Sequence, residues 1–279
     1  MQTILRGNTR EIKIDTGGPV VIIGECINPT RRKKLASTLQ EGDFEFVLEL
    51  AKSQIDAGAD VLDVNVGFPG VDDVKLLPET VLSIQRSFDV PLCLDSPNPA
   101  AIEAALKVAG GKCLINSING EEKSLNTLLC VAREYGAAII GLTMDDNGIT
   151  YDPEKRLAIA EKILDRAVKA GINEADVIID PLAMAVSADS NACIITLETI
   201  RLIRQKLGVN ITLGASNISF GLPGREDLNS TFLSMAIYNG LTCPIANPEK
   251  IAPAIRAADL ILGRDDFAVR FVDYFQNRI

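Results

Sequence analysis

Short runs rich in β-branched residues alternate along the chain with longer stretches whose apolar positions recur at three- and four-residue spacing. The runs predict strands at 20–27, 61–66, 91–95, 113–117, 138–144, 177–181, 211–216 and 243–246. Most are continuously apolar, as strands covered on both faces are. Between them, 44–57, 100–109, 154–170 and 194–207 carry the helical period. Gly58, Gly110, Gly136, Gly171, Gly208 and Gly240 follow helical stretches where a left-handed cap is expected. Asn98-Pro99 and Asp152-Pro153 each set a capping side chain before a proline suited to the first helical position.

Eight strand–helix units predict an α/β fold, a single-domain (β/α)8 TIM barrel spanning residues 1–279. A doubly wound sheet is the competing architecture, because alternation alone does not require closure. Residues 1–18, with short strand signals at 3–5 and 11–14, precede the first unit and predict a hairpin closing the barrel bottom. No linker, low-complexity tract or sequence repeat interrupts the pattern.

Composition narrows the function classes. Of the 279 residues, 47% are hydrophobic and 23% charged, which suits an ordinary globular core. A net charge of −9 argues against a nucleic-acid partner, since phosphates demand concentrated Lys and Arg. The basic run Arg31-Arg32-Lys33-Lys34 reads as a solvated loop, with an acidic partner or an anionic ligand tail as the functional alternative. The 6 cysteines (Cys26, Cys93, Cys113, Cys130, Cys193 and Cys243) stand singly in apolar surroundings, as reduced core thiols do. With no signal-peptide core and no apolar run of membrane-spanning length, the expectation is a soluble cytoplasmic protein. The chain has no histidine, which excludes Ser-His-Asp and Cys-His catalysis and removes the usual zinc ligand. Any chemistry falls to carboxylates, amides, Lys, Arg, Tyr, Cys or a bound cofactor.

In a barrel the site lies at the C-terminal strand ends, where the βα loops converge. Polar residues gather there: Glu25 and Asn28, Asp63 and Asn65, Asp95-Ser96 and Asn98, Asn116-Ser117 and Asn119, Thr143 and Asp145, Asp180, Ser216-Asn217, and Asn247. Helix capping accounts for about half of them, Asn98 and Asn119 above all. It does not account for Asp63, Asn65 and Asn116, which fall in or beside apolar runs where an unpaired polar group is costly. Few cations lie near the ring, and Val66-Gly67-Phe68-Pro69-Gly70 lacks the Lys-Ser or Lys-Thr pair of a phosphate loop. Carboxylates beside amides suit a heterocycle presenting an amino group next to a ring N–H, an edge that pterins and purines have. Magnesium on Asp63, Asp95 and Asp180 is the competing reading, and without a phosphate cradle the expectation is that no metal is bound directly.

Six stretches in order make the pattern specific: Gly24-Glu25-Cys26-Ile27-Asn28-Pro29-Thr30, Leu62-Asp63-Val64-Asn65, Cys93-Leu94-Asp95-Ser96, Ile115-Asn116-Ser117, Ile179-Asp180-Pro181-Leu182 and Gly214-Ala215-Ser216-Asn217-Ile218-Ser219. Together they resemble the pterin-binding methyltransferases that act between methyltetrahydrofolate and a corrinoid protein, over nearly the whole barrel. Dihydropteroate synthase shares the barrel and pocket but usually ends in Ser-x-Arg-His, which a chain without histidine cannot carry. The resemblance implies that Asp95, Asn116 and Asp180 hold the pterin ring and that Asn217 meets the methyl-bearing N5. It also implies that Gly214 and Ser216 shape the same wall and that Arg225 lies near the mouth. The implied reaction moves a methyl group between N5 of 5-methyltetrahydrofolate and the cobalt of a corrinoid (cobalamin) on a partner protein, in either direction. Asn217, Asp95 and Asp180 would be its catalytic residues, and a homodimer is expected. A dihydropteroate synthase-like condensation and a non-catalytic folate-binding barrel are the alternatives. Cys26 departs from the family pattern, which usually has a larger polar residue there, often Arg.

Overall fold

The computed structural model describes residues 1–276. After a hairpin of β1 (Gln2–Arg6) and β2 (Glu11–Asp15) come eight parallel strands: β3 (Ile23–Ile27), β4 (Val61–Asn65), β5 (Leu92–Asp95), β6 (Leu114–Asn119), β7 (Ala138–Leu142), β8 (Val177–Asp180), β9 (Asn210–Ile211) and β10 (Ile245–Ala246). Their spatial order is β10-β3-β4-β5-β6-β7-β8-β9, and the two outer members meet. The Cys243 amide donates to the Ile211 carbonyl at 3.1 Å, the Ile245 amide donates to that of Leu213 at 2.9 Å, and Gly214 bridges Ile245 in parallel. The sheet therefore closes into a barrel, and the doubly wound alternative is excluded.

Alternation along the strands divides the apolar residues into two sets. Leu62, Val64, Leu94, Ile115, Ile139 and Ile179 point outward into the large core shared with the helices. Val61, Cys93, Leu114, Ala138, Ile140 and Ile178 point inward and form a second cluster that includes Leu5 and Ile14 of the hairpin. The hairpin thus packs against the strand beginnings. It is tied there by Asn210 Nδ2, which donates to Thr3 Oγ1 and to the Ile14 carbonyl, both at 2.9 Å.

The helices are α1 (Lys33–Glu41), α2 (Glu45–Asp56), α3 (Asp73–Ser87), α4 (Pro99–Val108), α5 (Glu122–Tyr135), α6 (Pro153–Lys169), α7 (Ala192–Lys206), α8 (Arg225–Asn239), α9 (Pro248–Ile261) and α10 (Val269–Gln276). Asn98 and Asp152 cap α4 and α6 ahead of prolines, as their sequence predicts. Three expectations change. The basic run is not all loop: Lys33 and Lys34 open α1, because Leu35 and Leu39, one helical turn apart, are both buried. Gly110 does not take the left-handed cap; Gly111 does, at φ +79°, where a Cβ would sit 2.1 Å from the Gly7 carbonyl oxygen. The seventh strand ends early, and Ala215–Ser219 turn into a 3-10 helix, so Ser216 and Asn217 belong to that turn.

Candidate functional site

On β4, β5, β6 and β8 the chain turns polar two residues beyond an inward apolar side chain, on the same face, whereas β7 stays apolar with Leu142 two places beyond Ile140. Val61 is followed by Asp63 and Asn65, Cys93 by Asp95, Leu114 by Asn116, and Ile178 by Asp180. Period-two geometry alone therefore aims these groups into the barrel above its apolar floor. Side-chain bonds confirm it, since Asn116 Nδ2 on β6 donates to Asp63 Oδ1 on β4 at 3.1 Å, reaching past β5. Asn65 Nδ2 donates to Asp95 Oδ2 at 2.9 Å. Asp95 and Asn116 also line a cavity of about 430 Å³ together with Ser96, Ser117, Asn119 and Lys123.

Burial raises the carboxyls of this ring above the usual range. Asp63, 2% exposed, is pushed well up by burial and by the neighbouring Asp95 carboxylate, against the Asn116 and Cys93 bonds that favour its charge. Asp95 is raised by burial, opposed by the Asn65 amide. Asp180 is raised to about 7 by burial, opposed by the Leu182 backbone N–H and by the nearby Arg156 charge. Asp180 can therefore gain or lose a proton near neutrality. Among the described residues no group of three or more His, Cys, Asp or Glu side chains is placed to hold a metal ion. Asp63 and Asp95 face asparagine amides instead.

Across the mouth, the turn after β9 supplies the remaining predicted residues. Asn217 folds its amide over Gly214, where a Cβ would lie 2.8 Å from Nδ2, so the glycine leaves room for that amide. Ser216 Oγ donates to Glu25 Oε1 at 3.3 Å. Arg225, the first residue of α8, donates from Nη2 to the Ser216 carbonyl and from Nε to Ser219 Oγ, both at 2.9 Å. It thus braces the turn. The structure places Asp95 and Asn116 in one cavity, Asp180, Gly214, Ser216 and Asn217 on strand ends and turns of the same mouth, and Arg225 at the start of α8 against that turn.

Some contributors escape a reading of the sequence. Arg156 on α6 is fully buried and donates from Nη1 to the carbonyls of Pro181 (2.7 Å) and Leu182 (3.0 Å). Leu182 sits at φ +63°, unusual for a branched residue, held from both sides by Arg156 on its carbonyl and Asp180 Oδ1 on its N–H at 2.7 Å. The only sequence trace of this arrangement is one basic residue among the charges that open α6. Cys26 is buried, its thiol is pushed up by burial, and its carbonyl accepts from Arg32 Nη1 at 2.6 Å. Arg32 stays exposed with the rest of the basic run while its guanidinium reaches this carbonyl and acts on the charge of Glu25, whose carboxyl burial raises.

The family described as pterin binding enzyme matches residues 24–247. A methylcorrinoid:tetrahydrofolate methyltransferase of Eubacterium limosum is 29% identical over 265 residues, covering 92% of this chain and 96% of that protein. The methionine synthase of Mycobacterium tuberculosis is 33% identical over 250 residues, and that of Mycobacterium leprae 33% over 254. Each match covers 85% of this chain but 21% of the synthase, so the chain spans about a fifth of those relatives. Among solved structures, Yersinia pestis DHPS with a pterine-sulfa conjugate superposes with a TM-score of 0.70 at 18% identity, over 90% of this chain and 96% of that one. That likeness concerns the fold.

Proposed function

We propose that this chain, which belongs to the pterin-binding enzyme family, transfers a methyl group between N5 of 5-methyltetrahydrofolate and the cobalt of a corrinoid carried by a partner protein. The observation that carries the reading is the paired ring at the barrel mouth: Asp95 and Asn116 in one cavity, Asp180 poised near neutrality, and the Asn217 amide folded over Gly214 in the turn after β9. The relative that matches along nearly its whole length is named for this chemistry. No helix among the described residues is long and apolar enough to cross a membrane.

In this reading Asp95, Asn116 and Asp180 bind the pterin ring. Tetrahydrofolate is a poor leaving group, so N5 needs a proton or a strong hydrogen bond as the N–methyl bond breaks. Asn217 supplies a positioned N–H dipole there. Because an amide does not titrate, it stabilises charge without being the proton source. The proton travels through water linked to Asp95 or Asp180. Gly214 and Ser216 form the wall behind Asn217, and Arg225 holds that wall in place. A homodimer belongs to the same reading, and sedimentation equilibrium measures it. The deciding assay mixes the purified protein with methyltetrahydrofolate and free cob(I)alamin and follows the cobalt(I) absorbance. Loss of that absorbance is expected, whereas folate binding with an unchanged spectrum would identify a non-catalytic binding barrel. Turnover of a pterin pyrophosphate with p-aminobenzoate would identify a condensing enzyme.

A further inference from the structure

The barrel mouth contains two amide–carboxylate pairs, and one of them has an orientation that the backbone dictates. Asn65 Oδ1 accepts the Gly67 amide N–H at 2.7 Å. A backbone N–H can only donate, so the Asn65 oxygen is fixed on that side. Its NH₂ group must therefore face Asp95, and it donates to Oδ2 at 2.9 Å. Asp95 stands in register between Asn65 and Asn116, in the middle of the ring. With Oδ2 taken by Asn65, Oδ1 is the atom left for a ligand.

We propose that Asn65 is a positioning residue that sets the hydrogen-bond polarity of the site, forcing residue 95 to turn an acceptor toward the ligand. The proposal rests on the folate reading above and deepens it. It assigns Asn65 no contact with the reacting atoms; the residue acts through Asp95. Asp63, which accepts the Asn116 amide at 3.1 Å, occupies the matching place in the second pair. Recognition here is thus built for a ring edge offering N–H donors.

The logic makes the effect of one mutation depend on another. In Asp95→Asn, Asn65 still presents NH₂, so the new amide must turn its oxygen to Asn65 and its own NH₂ to the ligand. Donor then meets donor, and methyltetrahydrofolate affinity should fall on the order of 100-fold, the usual cost of an unsatisfied buried polar group. In the double variant Asn65→Asp with Asp95→Asn, residue 65 becomes the acceptor. The Asn at 95 now gives its NH₂ to residue 65 and turns its oxygen to the ligand. Affinity should recover to within about tenfold of the wild type.

Titration calorimetry with methyltetrahydrofolate, alongside circular dichroism melts, reads the outcome. A double variant that folds and binds no tighter than Asp95→Asn would overturn the proposal. Wild-type protein that fails to bind the folate would instead overturn the functional reading, and this proposal with it. Should the double variant not fold, Asn65→Leu provides the second arm. Without that fixed donor, residue 95 is free to turn either end of an amide to the ligand, so adding Asp95→Asn on this background should cost about tenfold or less in folate affinity, against about 100-fold with Asn65 in place. A pair of variants on the Asn65→Leu background that folds and still shows the full loss on Asp95→Asn would also overturn the proposal.

Discussion

Replacing Asp180 with Asn leaves an oxygen that can still accept the Leu182 N–H, as Oδ1 does now at 2.7 Å, and removes the ionisable group. Asp180 titrates near 7 because burial disfavours its charge. A ligand donating two hydrogen bonds to it requires the carboxylate, so binding must expel the proton wherever Asp180 holds one. With a free-state value of about 7 and the ionised form alone competent, the apparent dissociation constant scales as one plus the ratio of protonated to ionised Asp180. That factor is about 11 at pH 6 and about 1.1 at pH 8, a tenfold weakening toward acid worth roughly 1.4 kcal/mol. Calorimetry in buffers of different ionisation enthalpy should show about 0.9 proton released at pH 6 and about 0.5 at pH 7. Asp180→Asn should bind more weakly at pH 8 and lose the pH dependence. Wild-type affinity constant from pH 6 to 8 with no proton release, or an Asn variant that keeps the wild-type profile, would refute the argument. The sign for folding is opposite. The folded state holds this proton more tightly than an unfolded Asp, so the stabilisation is fully present below about pH 4 and is lost as pH rises through 7.

Asn217→Ala should slow methyl transfer by roughly 100-fold or more while weakening folate binding less, the range seen when a charge-stabilising donor is removed. Equal losses in kcat and kcat/KM would place the effect in the transition state, and a loss confined to binding would remove Asn217 from catalysis. Gly214→Ala should act through the same amide, because its Cβ would lie 2.8 Å from Asn217 Nδ2; the expected result is a lower kcat with a nearly unchanged melting temperature. Arg156→Met should destabilise the fold by about 3 kcal/mol, since it takes the guanidinium donors from the Thr150 and Pro181 carbonyls and leaves that of Leu182 with the Thr196 hydroxyl alone; a denaturant midpoint equal to wild type would contradict it.

The barrel was legible because its two periods are unmixed. Strands such as Val177–Asp180 are buried on both faces and apolar up to the final Asp, and helices such as Pro153–Lys169 carry a buried stripe with a capping Asp and a proline ahead of it. Where a short-range signal competes with a tertiary one, the pattern misleads. The four basic residues at 31–34 are exposed as a solvated run should be, but they are not all loop: Leu35 and Leu39 draw their second half into α1, and Arg32 reaches the Cys26 carbonyl. Gly110 and Gly111 are adjacent and chemically identical. Only the approach of the hairpin backbone at Arg6 and Gly7 decides that Gly111 takes the left-handed conformation.

Positions in the site were legible for the same reason as the fold, whereas the orientation of their hydrogen bonds was not. A polar residue two places beyond an inward apolar one must enter the barrel, so Asp63, Asn65, Asp95, Asn116 and Asp180 declare themselves by parity. Parity says nothing about which oxygen or nitrogen a side chain turns to its neighbour. That depends on contacts such as Gly67 N–H with Asn65, set by the path of a loop, and on Arg156, which reaches Leu182 from a separate helix. In a chain without histidine these contacts carry added weight. Amides cannot change protonation to adapt to a ligand, so the donor and acceptor pattern must be built in by their neighbours. Only the buried carboxyls are left to titrate, and burial brings Asp180 into the physiological range where histidine ordinarily serves.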